Sequence, residues 1–285
     1  MDIVICIALK DIYFFNKNLY FIKKNLNPCK IHVITDKKNF KFIKKDKLIN
    51  LIDENKLIDE LSFIAVKECI DNHMTTKHYG WYFQQFLKLG FSLSKFAKEE
   101  YLVWDADTVP FNQIYFKKNN KTLILPKKEH HQPYFDTMNN LFEANIKADY
   151  SFISEHMLFN TNIVKEMLSN IEKNTGKIWY KACIEAIKRD EPIGFSEFET
   201  YGTYCLNYHP GIFELRYLNT FRKCGLIYGI LANINQIQNL GEDLDTGSFE
   251  VQHLPKSLIK GSIQWFYYKS CSIIMKLRRK FTYFP

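Results

Sequence analysis

The sequence predicts an α/β fold built on a parallel sheet, and three observations carry that prediction. Two short apolar runs, 3–9 and 30–36, are separated by about twenty residues that can form a helix around 14–24. This order of strand, helix and strand is the repeating unit of a parallel sheet. A third apolar run, 101–104, leads directly into polar residues. That pattern is typical of a buried strand that ends at the rim of a sheet.

Length and composition are those of a globular protein with a substantial core. The chain has 285 residues, of which 46% are hydrophobic and 16% aromatic. This is enough for one large domain or for a domain with a subdomain. No run approaches the roughly 18 apolar residues that span a bilayer. The first apolar run follows Met1 without a basic leader, so we expect a first strand there, no signal peptide and a cytoplasmic protein.

The seven cysteines are scattered along the chain without any Cys-x-x-Cys spacing. Neither a zinc site nor a disulfide framework is therefore indicated. We expect buried free thiols, which suit a reducing compartment.

The net charge of +8 is uneven along the chain. The first 250 residues carry 32 basic and 31 acidic side chains, whereas the remainder carries seven basic and no acidic ones. A nearly neutral body argues against a nucleic-acid binder, whose basic footprint covers a folded face. The tail, 261–285, is basic and aromatic, a composition typical of a segment on an anionic membrane surface. The alternative is a C-terminal helix packed on the body.

Further elements follow from apolar periodicity. In 78–98 the apolar residues recur at spacings of four and three, which predicts an amphipathic helix that packs on the sheet. The remaining predicted elements are strands near 48–52 and 122–126 and helices over 134–145, 161–173 and 177–188.

Asp105 and Asp107 follow the third apolar run and are the first candidate site. Side chains two residues apart in an extended segment point the same way, so both carboxylates can converge on one site. A shared hard cation, Mn²⁺ or Mg²⁺, would relieve their repulsion and could carry phosphates in its remaining positions. The alternative is a solvated turn in which Asp serves the turn chemistry.

Polar residues after the first two strands are candidates for nucleotide contacts. Ligands in nucleotide-binding α/β folds gather at the carboxyl ends of strands, which makes Ala8, Lys10 and Asp36 plausible neighbours of a nucleotide. The alternative is that Lys10 and Asp36 are ordinary loop charges.

A polar stripe borders the apolar face of the predicted helix over 78–98. It contains Gln85 and Lys88, and such a stripe can line a cleft. Lys88 could neutralise a phosphate there, or it could extend from the helix edge into solvent.

Two glutamates in 194–202 have different expected roles. Ser196 and Glu199 have the spacing of a capping box, in which Glu199 would return to the Ser196 amide. Glu197 has no such local role and is the better candidate for a catalytic base.

Further along, His253 follows a short strand-like run and could add a nitrogen ligand to the metal of Asp105 and Asp107, although a lone histidine is more often structural. The adjacent histidines 130 and 131 are poor metal candidates, since sequence neighbours rarely bind one ion.

Several of these pieces together resemble a known family. The order of motifs is Gly-Trp-Tyr-x-Gln-Gln-x-x-Lys at 80–88, Leu-Val-Trp-Asp-Ala-Asp-Thr at 102–108, Ser-Phe-Ile and His-Met-Leu-Phe within 151–159, Phe-Ser-Glu-Phe-Glu-Thr-Tyr-Gly at 195–202, and Gln-His at 252–253. It resembles a bacterial family of GT-A type glycosyltransferases encoded near cell-surface polysaccharide genes. The resemblance covers roughly residues 1–255. It implies a GT-A (Rossmann-like) domain with a mixed central sheet flanked by helices. The basic aromatic C-terminal tail over 256–285, which we expect to be helical, lies outside the resemblance.

The resemblance also implies site roles. Asp105 and Asp107 fall on the motif that binds the metal and the diphosphate, and His253 falls where a C-terminal metal-binding histidine is placed. Glu197 or Glu199 falls in the acceptor-side carboxylate position. Gln85, Lys88 and Arg222 match polar positions expected to contact the donor.

The implied function is metal-dependent transfer of a sugar from a nucleotide-sugar, expected to be a UDP-sugar, to a hydroxyl of a glycan or lipid-linked acceptor. The setting would be lipopolysaccharide or capsule biosynthesis in the cytoplasm, peripheral to the inner face of the membrane. One alternative is a haloacid-dehalogenase-type phosphatase with Asp105 as the nucleophile. Another is a non-catalytic membrane-associated scaffold.

Overall fold

The computed structural model describes residues 1–142, 146–228 and 232–250, together with Phe266 and Ser270. The strands are β1 (Asp2–Cys6), β2 (Lys30–Thr35), β3 (Ile49–Asp53), β4 (Glu100–Trp104), β5 (Thr108–Pro110), β6 (Lys117–Lys118), β7 (Lys121–Ile124), β8 (His156–Asn160), β9 (Phe213–Leu215), β10 (Thr220–Phe221) and β11 (Thr246–Ser248). The helices are α1 (Ile12–Leu26), α2 (Phe63–His73), α3 (Tyr79–Gly90), α4 (Gln132–Phe142), α5 (Thr161–Thr175), α6 (Trp179–Ala186), α7 (Glu197–Tyr208), α8 (Cys224–Tyr228) and α9 (Ile234–Asn239). Single 3₁₀ turns occur at Leu9–Asp11, Lys37–Phe42, Glu54–Lys56, Phe91–Leu93 and Leu240–Glu242.

The central sheet has five strands in the order β3-β2-β1-β4-β8. The first four are parallel to one another, and β8 runs antiparallel beside β4. The predicted α/β class, with a mixed central sheet flanked by helices, is confirmed. Two three-stranded sheets, β10-β11-β5 and β6-β7-β9, extend the structure beyond β4 and β8.

Helices cover both faces of the sheet because alternate side chains of each strand point to opposite faces. Ile3 and Ile5 of β1 pack with the buried side of α1, whereas Val4 and Cys6 belong to the core on the α3 side. Buried residues therefore occur at every position of β1, which is the pattern of a central strand covered on both faces.

Most predicted elements lie where periodicity placed them, with shifted ends. The predicted helix over 78–98 stops as an α-helix at Gly90 and continues as one 3₁₀ turn, Phe91–Leu93. A side chain on Gly90 would meet Leu61 at 3.3 Å, so the tight packing beneath the last turn accounts for a glycine at this position. The end of the predicted helix over 134–145 lies partly outside the described residues.

Two sequence expectations concern the compartment. Six of the seven cysteines lie in the described part of the chain, and all six are free thiols. Four of them are buried, as predicted, whereas Cys29 is exposed and Cys69 is half-buried. Among the described residues, no helix has the length and apolar character needed to cross a bilayer. The predicted tail over 256–285 falls outside the described residues apart from Phe266 and Ser270.

Candidate functional site

The candidate site lies at the carboxyl edge of the central sheet. Because β1 to β4 are parallel, the residues that follow them, including Ala8, Asp36 and Asp105, meet at one edge. The antiparallel strand β8 begins at the same edge, where His156 pairs with Trp104. This arrangement brings Glu155 beside Asp105, whose amide donates to the Glu155 carbonyl at 3.0 Å.

The backbone between Asp105 and Asp107 is a tight turn, and the expected extended geometry is wrong. The amide of Thr108 donates to the Asp105 carbonyl at 3.1 Å, and β5 begins at Thr108. Two buried donors fix the turn, because the Trp104 indole and the Asn18 side-chain amide both donate to the Thr108 carbonyl at 2.7 Å. The two carboxylates are therefore positioned by a turn that the core holds in place.

Asp107 lies in an excess of negative charge. Its pKa is raised to about 8, first by burial and then by the carboxylates of Asp105, Glu250 and Asp11. An oxygen-rich, electronegative set of this kind fits a hard divalent cation. Among the described residues, no group of three or more His, Cys, Asp or Glu has the arrangement of a metal site. His253, the third predicted ligand, lies outside the described residues.

Lys88 joins two of the predicted site carboxylates. Its Nζ lies 2.7 Å from Asp105 Oδ1 and 2.6 Å from Glu197 Oε1. Lys88 and Glu197 are only 3% and 4% exposed, whereas the Asp105 side chain is 33% exposed. We call these three residues the ion triad. The predicted polar stripe of α3 thus faces the site, and Lys88 does not extend into solvent.

Neighbouring groups fix Glu197 at the start of α7. Its backbone amide donates to Gln85 Oε1 at 3.1 Å, so the predicted stripe supplies a second contact. Burial raises the pKa of the Glu197 carboxyl, and the ammonium of Lys88 opposes that rise. The positive end of the α7 dipole also favours the carboxylate.

Glu199 does not complete the predicted capping box. Ser196 does accept from the Glu199 amide at 3.3 Å, but the Glu199 carboxylate turns away from the Ser196 amide. It accepts instead from the Ser151 hydroxyl at 2.6 Å, from the Phe152 amide at 3.2 Å and from the Thr203 hydroxyl at 3.3 Å. The capping-box prediction is therefore wrong for the glutamate half. Glu199 is fully buried, and its hydrogen bonds connect α7 to Ser151 and Phe152, in the segment that precedes β8.

Glu155 is a site residue that sequence reasoning missed. It is buried, and neither carboxylate oxygen has a hydrogen-bond partner among the described residues. Its charge is balanced by Arg222 Nε at 3.0 Å and Lys127 Nζ at 3.7 Å. Burial raises the pKa of Glu155, and the two cations oppose this shift. In the sequence, Glu155 stands directly before the apolar run of β8. This position indicates a site residue only if β8 is antiparallel to β4, because only then does the start of β8 lie at the carboxyl edge of the sheet.

Arg222 is held at the site by acidic side chains. Besides Glu155, it pairs with Glu129 at 3.2 Å and with Glu250 at 3.7 Å. These contacts keep a guanidinium group, 40% exposed, within reach of an anionic ligand at the same edge.

The sequence of residues 8–226 matches the profile described as "Family of unknown function (DUF6492)". The chain belongs to this family. The matched span contains the whole ion triad as well as Glu155 and Arg222. None of the curated proteins matches the chain.

Solved structures of glycosyltransferases are similar to this DUF6492 chain. Mouse xyloside xylosyltransferase 1 in its apo form shares 11% identity with a TM-score of 0.46, covering 90% of this chain and 100% of that chain. An active-site mutant of LgtC shares 11% identity with a TM-score of 0.46, and 87% of each chain is covered. Galactosyltransferase LgtC in complex with donor and acceptor sugar analogues shares 11% identity with a TM-score of 0.43 at the same coverage.

The predicted nucleotide contacts of this DUF6492 chain lie at the same edge as the ion triad. Ala8 and Lys10 are exposed after β1. Asp36 follows β2, and its carboxylate accepts from the Lys38 amide at 2.8 Å, which caps the next 3₁₀ turn. Asp36 therefore has a local structural role in addition to its predicted one.

The adjacent histidines have separate partners in the described structure. His130 contacts Gln132 at 3.0 Å, and His131 contacts the Ile193 carbonyl at 2.7 Å. Their side chains thus hydrogen-bond to different parts of the described structure.

Proposed function

We propose that this protein is a metal-dependent glycosyltransferase that uses a nucleoside-diphosphate sugar. The observation that carries the proposal is the ion triad, in which one buried lysine holds Glu197 of α7 against Asp105 at the end of β4. Asp105 and Asp107 form the acidic side of the proposed cleft, and the buried carboxylate of Glu197 forms the other side. The first side would hold the diphosphate of the donor through a cation, and the second would face the hydroxyl group of the acceptor.

Asp105 and Asp107 would hold the cation, either Mn²⁺ or Mg²⁺, with His253 as the proposed third ligand. When bound, the cation acts as a Lewis acid that offsets the charge on the leaving diphosphate. The raised pKa of Asp107 supports this role, because a bound cation would offset the repulsion between its carboxylate and those of Asp105, Glu250 and Asp11.

Glu197 is the proposed catalytic base if the anomeric centre inverts. The acceptor oxygen then bonds to the anomeric carbon, the bond from that carbon to the diphosphate breaks, and the acceptor proton passes to the Glu197 carboxylate. A pKa raised by burial suits a base that works near neutral pH. Glu199 is the weaker candidate, since its oxygens already accept from three neighbours. If configuration is retained, the diphosphate itself takes the proton and Glu197 is not the base.

The proposed donor contacts surround the same edge. Ala8, Lys10 and Asp36 would contact the nucleotide, with a UDP-sugar as the expected donor. Gln85, Lys88 and Arg222 are the proposed contacts to the rest of the donor. Lys88 would act within the ion triad, because both of its close partners in the described structure are carboxylates.

The proposed acceptor is a glycan or a lipid-linked glycan of lipopolysaccharide or capsule biosynthesis. The proposed location is the cytoplasm, peripheral to the inner face of the membrane. Residues 1–255 would form the catalytic domain and 256–285 a tail on the membrane surface. The phosphatase alternative gains no support here, since Asp105 follows the fourth strand in chain order and its Oδ1 contacts Lys88.

A thermal-shift panel tests the proposal. UDP, GDP, CDP and UDP-sugars are each added with and without Mn²⁺, because a ligand that binds only the native state raises the melting temperature. We expect a shift that requires both a nucleotide and Mn²⁺. Asp107→Ala should abolish the shift, whereas the control Asp190→Ala, on an exposed loop, should keep it.

Turnover measurements separate the roles at the site. Glu197→Gln should keep the ligand-dependent shift and lose sugar transfer. Full transfer by Asp107→Ala would refute the metal role. Release of phosphate from a simple phosphomonoester, with covalent labelling of Asp105, would favour the phosphatase. Absence of any nucleotide or Mn²⁺ shift would favour the non-catalytic scaffold.

A further inference from the structure

The positive charge of the body is concentrated in one short region. Residues 10–47 contain eleven lysines and only three acidic residues, an excess equal to the net charge of +8 for the whole chain. The first 250 residues are nearly neutral as a whole, but their positive charge is concentrated in residues 10–47. A folded basic surface exists apart from the C-terminal tail.

Helix α1 contributes an aromatic and basic stripe to this surface. At 100° per residue, Tyr13, Lys17, Tyr20 and Lys24 fall within about 60° of one another. Tyr13 and Tyr20 are 59% and 45% exposed, and the opposite side of α1 is buried in the core. Lysine ammonium groups lie over both rings, at 5.1 Å for Tyr13 and 6.0 Å for Tyr20.

The segment 37–47 lies along this helix and extends the surface. The Asn16 side chain donates to the Phe42 carbonyl at 2.9 Å and accepts from the Lys44 amide at 2.8 Å. Ile43 is buried against the α1 core, while the Phe42 ring is 51% exposed. We call the surface formed by Tyr20, Lys24, Lys41, Phe42, Lys44 and Lys45 the basic face.

The charges of the basic face are not neutralised within the described structure. The nearby carboxylate of Asp46 pairs with Lys23 at 2.5 Å. Lys24, Lys41, Lys44 and Lys45 are exposed and form no ion pair with any described residue. The surface therefore presents four uncompensated ammonium groups around two exposed aromatic rings.

We infer that the basic face docks on the surface of a bilayer that contains anionic phospholipid. Lysines near such a surface contribute about 1 kcal/mol each, and exposed aromatic rings favour the interfacial layer. All basic residues of the face are lysines, and the first arginine of the chain is Arg189. Nucleic-acid readers rely strongly on arginine for bidentate contacts, so the composition favours lipid.

The location of the basic face gives the inference a consequence for the site. Both α1 and the 3₁₀ turn Lys37–Phe42 begin at the carboxyl edge of the sheet, directly after β1 and β2. From there both segments return toward the opposite edge, where β2 and β3 begin, so docking through this face would place one side of the domain against the membrane, with the candidate site at one end of that side. The inference does not depend on the proposed sugar transfer, since lipid binding needs no turnover.

Co-sedimentation of the full chain with vesicles tests the inference. One set of vesicles is phosphatidylcholine alone, and the other contains phosphatidylglycerol in addition. We expect binding to the anionic vesicles only. The triple variant Lys41→Glu, Lys44→Glu, Lys45→Glu should lower the partition coefficient on the order of one-hundred-fold, because three favourable contributions are lost.

A matched control has the same net charge with the reversals placed elsewhere. Lys147→Glu, Lys165→Glu, Lys173→Glu changes exposed lysines on and near α5, which packs on the other face of the sheet. This control should bind vesicles within about twofold of the unmodified chain.

Three results would overturn the inference. They are equal loss of binding in both triple variants, unchanged binding in the basic-face variant, and tighter binding to single-stranded RNA than to anionic vesicles. Melting curves of each variant, with and without UDP and Mn²⁺, show separately whether the fold and the proposed donor site are intact.

Discussion

The ion triad allows a quantitative test of how the candidate site is held together. Replacing Lys88 by Met keeps an unbranched apolar side chain, one atom shorter, and removes the charge. Glu197, which is 4% exposed, then loses the close cation that balances its carboxylate. Breaking a buried pair by removing one partner typically costs about 3–5 kcal/mol, because an uncompensated charge stays buried.

The two carboxylates of the triad should contribute unequally to that cost. The Asp105 side chain is 33% exposed, so water can replace Lys88 there, and the contribution is about 0–1 kcal/mol. Nearly all of the loss should therefore come from Glu197. The double variant Lys88→Met, Glu197→Gln removes the buried charge, and we expect it to recover roughly 2–3 kcal/mol relative to Lys88→Met alone.

Urea unfolding followed by circular dichroism at pH 7.5 measures both quantities. The control is Lys67→Met, which removes the exposed pair of Lys67 with Asp71, 2.6 Å apart, and should leave the urea midpoint nearly unchanged. The reasoning is refuted if Lys88→Met unfolds within about 1 kcal/mol of the unmodified chain. It is also refuted if the double variant is no more stable than Lys88→Met.

Three further predictions concern residues around the site. The pKa of Glu54 is raised to about 7, mainly by burial. Because the unfolded chain releases this proton at a lower pH than the folded chain, the free energy of unfolding falls as pH rises from about 4.5 to 7. In urea titrations Glu54→Gln should remove this fall, with a gain of about 1–2 kcal/mol at pH 8 but little at pH 4. Glu199→Gln leaves one donor without a good acceptor and should cost about 2–3 kcal/mol of unfolding free energy at pH 7; an unchanged urea midpoint would contradict this. Gly202→Ala places a methyl group 2.3 Å from the Phe152 ring and should lower the melting temperature by several degrees, whereas the control Gly80→Ala, whose methyl group would meet nothing within 4 Å, should not.

Features that depend on local periodicity could be predicted from the sequence. The apolar runs of β1, β2 and β4 and the 3.6-residue pattern of α3 are properties of contiguous residues. The end of β4 at Asp105 followed from the change from apolar to polar residues. The polar stripe of α3 also followed, because Gln85 and Lys88 are adjacent on a helical wheel.

Features that depend on which segments meet could not be predicted in this way. The partner of Lys88 in α7 lies 109 residues away in sequence, so no local pattern indicates the pair. The direction of β8 was likewise hidden, since an apolar run does not reveal whether it pairs in parallel or antiparallel. The capping box at Ser196 failed at Glu199 because tertiary hydrogen bonds from Ser151 and Phe152 offered the carboxylate better partners.

The buried position of Glu199 has a consequence for how mutational data on this family should be interpreted. Its carboxylate accepts from the backbone amide of Phe152, three residues before Glu155 and four before the start of β8 at His156. A variant at Glu199 should therefore loosen the backbone that leads to Glu155, while Glu197, the preferred candidate base, stays chemically intact. An activity assay alone would not distinguish the loss of a base from the loss of this structural support, whereas a stability measurement made beside the assay would.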